Sequence, residues 1–164
     1  MRLLNLMVLI YFAVLSTSCI SERKKANELD YDKEYNYDST KAAKYGADIY
    51  GMKKYVMAFL SKGTNDKLSK DSAAILQQAH LKNINRLAKE GKLVLAGPFF
   101  GNQDLRGIYV FNLESIEEAR ILTQTDPSVQ AGLLEMELIE WYGSAALIDI
   151  NEIHKTLAKK GITD

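Results

Sequence analysis

Cysteine occurs once in this chain of 164 residues, at position 19, so no disulfide can form within it. Charge of one sign is also missing: 21 basic residues stand against 21 acidic ones, which leaves no electrostatic footprint for nucleic acid. No apolar run is long enough to stay in a bilayer as a span, which takes ~20 residues. The longest, Leu3 to Leu15, stops after thirteen at Ser16-Thr17-Ser18. Histidine occurs twice, and no His/Cys/Asp/Glu cluster has zinc or iron ligand spacing, so no metal is expected. No glycine motif suited to cradling phosphate is present, and no cofactor is expected either.

What is present begins with an export signal. Arg2 supplies the positive charge, Leu3 to Leu15 the apolar stretch, and Ser16-Thr17-Ser18 the small residues before Cys19. Residues 1–18 are therefore expected to be cleaved. The junction resembles a bacterial lipobox, although Leu15 lies one place further back than usual and Ser16 takes its position. This implies a lipid-modified Cys19 and a membrane-anchored protein of the cell envelope; ordinary cleavage after Ser18, with release to the periplasm, is the alternative. Residues 19–44 are rich in Lys, Glu, Asp, Asn, Ser and Tyr and read as a solvated tether, in which Tyr31, Tyr35 and Tyr37 are unusual. The folded domain is expected over 45–164, enough for one core.

Tyr55-Val56-Met57-Ala58-Phe59-Leu60 is apolar at both parities, the mark of a strand buried on both faces. From Asp71 to Lys89 the period is helical, with Ala73, Leu76, Ile84 and Leu87 on one stripe and Gly91 as the stop. Leu93 to Ala96, closed by Gly97-Pro98, and Ile108 to Phe111 read as two further strands. Ser115-Ile116-Glu117-Glu118 has capping-box form and opens a second helix to about Thr123. Leu134, Met136 and Leu138 alternate with Glu135 and Glu137 as in a half-exposed strand, and a last helix is expected from Asn151 to Lys160. The order β-α-β-β-α-β is that of a ferredoxin-like α+β fold with an added C-terminal helix, its first and third strands central. Helices on one sheet face leave the other to be covered, which points to a symmetric homodimer.

The blocks Ala79-His80-Leu81, Glu90-Gly91-Lys92-Leu93-Val94-Leu95-Ala96-Gly97-Pro98, Thr125-Asp126-Pro127 and Ala131-Gly132-Leu133 resemble the YCII-related (YciI-like) family. The flanks Tyr45 to Lys53 and Trp141 to Ala146 look like an extended subgroup of it. The resemblance implies a dimeric α/β barrel with a cleft in each subunit holding a catalytic His and Asp, here His80 and Asp126. It also implies cofactor-free chemistry on a small cyclic or aromatic molecule.

Each candidate has a plainer reading. His80 sits at the centre of the apolar stripe, between Leu76 and Ile84, either as a core histidine satisfied by a carbonyl or as a general acid/base titrating near neutral pH. Asp126 before Pro127 is a natural N-cap, and one oxygen can cap while the other orients an imidazole. No Ser, Thr or Cys stands in a nucleophile motif, which favours proton transfer or elimination, a lyase or isomerase reaction, over acyl transfer. The alternative is a non-catalytic ligand-binding protein or dimeric scaffold. His154 reads as a packing or surface residue, Glu135 and Glu137 as a solvated edge, and Met52, Met57 and Met136 as core.

Overall fold

Four strands form one antiparallel sheet in a computed structural model that describes residues 36–101 and 104–163. Cys19, residues 1–18, Tyr31 and Tyr35 lie outside the described residues. The elements run α1 (Ser39–Tyr45), β1 (Met52–Lys62), α2 (Lys70–Lys89), β2 (Leu93–Pro98), β3 (Leu105–Phe111), α3 (Ile116–Thr123), α4 (Pro127–Gln130), β4 (Leu134–Ser144), a 3-10 turn (Ala145–Asp149) and α5 (Ile150–Leu157). Strand order is β2-β3-β1-β4, so β1 and β3 are central and the fold is ferredoxin-like α+β, with the added helix at its end.

The helices start and stop where local chemistry directs. Ser69 caps α2 by accepting from the Ser72 N–H, and Gly91, at φ +70°, takes the left-handed turn that ends it. Ser115 caps α3 by accepting from the Glu118 N–H at 3.4 Å; the carboxylate that returns to its hydroxyl is that of Glu117, at 3.0 Å, in place of Glu118. The folded unit begins at Ser39, ahead of the expected start near Tyr45, because α1 is tied down: Tyr45 donates to Asp149 and Lys41 pairs with the same carboxylate. The terminal helix is shorter than expected, ending at Leu157 before the Ala158-Lys159-Lys160 stretch.

One face of the sheet carries the core. Val56, Ala58 and Leu60 of β1 and Tyr109 and Phe111 of β3 pack on Leu87 of α2 and Ala119 of α3, while Leu134, Met136 and Leu138 of β4 close the side. Each fully buried Val, Leu or Phe there contributes about 1.5–3 kcal/mol. Within the single chain the opposite face of β1 is covered only in part. Only Tyr55, Val94 and Val110 are sealed, under Leu147 and Ile148 of the 3-10 turn, whereas Met57 and Phe59 are half-buried. Ile139 and Trp141 beside them remain 45% and 37% exposed. Having crossed this face, the chain reaches the edge strand β2, where the Asn151 amide donates to the Leu93 carbonyl at 2.8 Å. That contact occupies part of an edge otherwise open to another strand.

Candidate active site

His80 is brought to the sheet by the same stripe that buries Leu87, because residues three and seven apart share a face of α2. The buried residues of that helix are His80, Asn83 and Leu87. Asp126 arrives from the other direction as N-cap of α4, with Pro127 at the first helical position. Its Oδ1 accepts from the Ser128 N–H at 2.9 Å, and the Ser128 hydroxyl donates to the Leu76 carbonyl at 3.2 Å, which ties α4 to α2. The second oxygen, Oδ2, lies 2.7 Å from His80 Nδ1. Capping and orienting are thus done by one carboxylate, each with its own oxygen.

Burial pushes the Asp126 carboxyl upward, but the hydrogen bond and charge of His80 and the Ser128 N–H outweigh it and hold the group below its ordinary range. An ionised carboxylate can only accept, so Nδ1 carries the proton and Nε2 is the nitrogen left for chemistry. Tyr109 lies over the ring, nearly parallel at 21° with centroids 6.0 Å apart. Its hydroxyl is 3.4 Å from Nδ1 and 3.3 Å from Nε2, a position above the face of the imidazole where it meets neither in-plane lone pair. Burial, followed by the Asp126 charge and hydrogen bond, raises the Tyr109 phenol far above its usual value. Tyr109 is therefore a hydrogen-bond donor here and not a base.

Sequence reasoning missed Asn83, Arg86 and Thr125. Arg86 Nη2 donates to Asn83 Oδ1 at 2.8 Å and to Thr125 Oγ1 at 2.9 Å, joining the last turns of α2 to the residue before Asp126. These bonds fix the amide's orientation and leave Asn83 Nδ2, a buried donor, without a hydrogen-bond partner among the described residues. A polar residue one turn beyond His80 on an apolar stripe was the available signal.

The remaining candidates lie elsewhere. His154 is exposed on α5, in a groove whose lining includes neither His80 nor Asp126. Glu135 and Glu137 are exposed along β4, while Met52, Met57 and Met136 are half-buried. Tyr37 is 73% exposed.

A pH dependence follows from Asp126. Its folded-state pKa lies below the unfolded value of about 3.9, so its contribution to stability is fully present above that value and is lost as pH falls through the folded pKa. Urea denaturation midpoints of wild type and Asp126→Asn, compared from pH 6 downward, should converge in acid. A difference independent of pH would contradict the assignment.

Comparison with known proteins places the chain in a larger set. A family model described as "YCII-related domain" matches residues 55–142, more than half of the chain, and this span contains both His80 and Asp126. "Uncharacterized protein YjpA" of Bacillus subtilis (strain 168) is 36% identical over 62 residues, covering 38% of this chain and 71% of that protein. Among solved structures, 5-chloro-2-hydroxyhydroquinone dehydrochlorinase (TftG) from Burkholderia phenoliruptrix AC1100, in complex with 2,5-dihydroxybenzoquinone, aligns at 22% identity and a TM-score of 0.41. The alignment covers 52% of this chain and 92% of that one.

Proposed function

Because the chain belongs to the YCII-related domain family, we propose that it is an enzyme acting on a small organic molecule without a cofactor, a lyase or isomerase in which His80 moves the proton. The observation that carries this reading is the 2.7 Å contact between His80 Nδ1 and Asp126 Oδ2, with the other carboxylate oxygen already fixed by Ser128. A histidine held in one tautomer, beside a carboxylate that stabilises its charged form, is equipped to take a proton through Nε2 and return it. Asp126 orients the ring and offsets the imidazolium charge. Tyr109 supports it from the face.

One observation favours the second reading, a protein that binds a ligand without turning it over: His80 is only 7% exposed in the single chain. Screening small cyclic and aromatic acids and phenols by ligand-observed NMR, followed by product analysis of each binder, separates the two. Binding lost in His80→Ala with no product from any binder favours the non-catalytic protein.

We also propose that the site works in a homodimer whose sheets meet through the face bearing Met57, Phe59, Ile139 and Trp141. Exposed apolar side chains grouped on one sheet face call for a cover. Light scattering of residues 39–164 at micromolar concentration should return twice the chain mass, and Ile139→Lys should shift it toward the monomer. A monomeric wild type would end this proposal.

Export and lipid anchoring at Cys19 complete the proposed picture, resting on the apolar run that ends at the sole cysteine. In a bacterial host, labelled fatty acid should enter the wild type and not Cys19→Ala. Equal labelling of the two would remove the anchor.

A further inference from the structure

A groove of about 630 Å3 lies apart from His80 and Asp126, lined by residues of α2, β2, α5 and the segment after it. That volume is within the usual range of small-molecule sites. Its walls are pinned at two points: Asn151 Nδ2 donates to the Leu93 carbonyl at 2.8 Å, and Asn85 Nδ2 donates to Thr163 Oγ1 at 3.1 Å. The lining is mostly apolar and includes Ile84 and Leu95, and its charged or titratable members are His154, Lys155, Lys159 and Lys160. No Asp or Glu is among the lining residues.

That imbalance is local, since the whole chain is formally neutral. Lys155 is matched by Glu152 at 2.6 Å, but Lys159 and Lys160 enter none of the ion pairs among the described residues. The two cations therefore line a mostly apolar depression without an ion-pair partner among the described residues. A surface of this kind complements a molecule with an apolar body and an anionic head. We infer that the groove between α2, β2 and α5 binds a small amphipathic carboxylate, its hydrocarbon on Ile84 and Leu95 and its head between Lys159 and Lys160.

The matched pair octanoate and 1-octanol tests this on the full-length chain, by isothermal titration at low and physiological salt. Octanoate should bind one equivalent per chain, more tightly than octanol, and more weakly as salt rises. In Lys159→Glu/Lys160→Glu the octanoate affinity should fall by about tenfold or more, with octanol unchanged. Ala88→Phe, which fills the groove from α2, should weaken both probes. Equal affinity for the two probes, or octanoate binding unaltered by either variant, would overturn the assignment, as would no binding of octanoate at millimolar concentration.

Discussion

Gly63→Ala is expected to destabilise the domain by about 3 kcal/mol, and to do so through backbone. A Cβ at position 63 would meet the Gly132 carbonyl oxygen at 2.2 Å, its carbon at 2.7 Å and the Leu133 carbonyl carbon at 2.9 Å. Neither segment can step back without breaking bonds. The Gly63 N–H donates to Leu133 O at 2.9 Å, Asn65 N–H to Gly132 O at 3.0 Å, and the Asn65 amide to Ala131 O at 2.9 Å. Gly132 itself sits at φ +68°, where few other residues would follow a shift. These bonds join the end of β1 to the turn after α4, so the damage should reach Asp126 as well. Urea denaturation should show the loss, with Gly97→Ala as control, since nothing lies within 4 Å of a Cβ at that position. Equal midpoints for Gly63→Ala and wild type would contradict the close approach.

Asp126→Asn is expected to leave a folded protein whose turnover falls by about 10²–10⁴-fold, the range for losing a positioned acid/base. Asparagine caps helices as well as aspartate does, so the Oδ1 bond to Ser128 survives. The amide nitrogen then faces His80 and can only donate. His80 Nδ1 must become the acceptor, which forces the ring proton onto Nε2, the nitrogen assigned to the ligand. The base is blocked by its own proton, and no carboxylate remains to favour the imidazolium. His80→Ala should lose the same activity for a different reason. In NMR spectra selective for histidine, the Asn variant should show the Nε2–H tautomer where wild type shows Nδ1–H. Wild-type tautomer and turnover in Asp126→Asn would refute the proton-transfer mechanism.

Much of this arrangement was legible in the chain because it rests on local rules. The apolar period of residues 71–89, the caps at Ser115 and Asp126 and the alternation at 134–138 each specify an element without knowledge of its neighbours. The β-α-β-β-α-β order then follows by counting. What escaped depends on how elements rotate against one another. The tie from Arg86 to Thr125 forms only once α2 is set against the turn before α4, and the spacing that puts Asn83 one turn beyond His80 does not announce it. What covers the second face of β1 escaped for a related reason: Tyr55, Met57 and Phe59 are apolar whether a helix, a turn or a second protein lies above them, and the 3-10 turn that seals Tyr55 follows β4, far away in sequence. The helix at Ser39–Tyr45 was hidden by its polar composition, since its tie to Asp149 comes from a residue far away in sequence.

The pairing of β1 with β4 has a consequence for how the protein is made. Eleven rungs run from Met52↔Ser144 to Lys62↔Leu134, joining the earliest strand of the sheet to the latest. Contacts between such distant segments raise the contact order and delay folding, because the intervening loop must close first. During synthesis β1 can pair on one side with β3, but its other edge has no strand until Ser144 has been added. Val56 to Leu60 would meanwhile present an apolar edge to any neighbouring chain, a situation that invites aggregation.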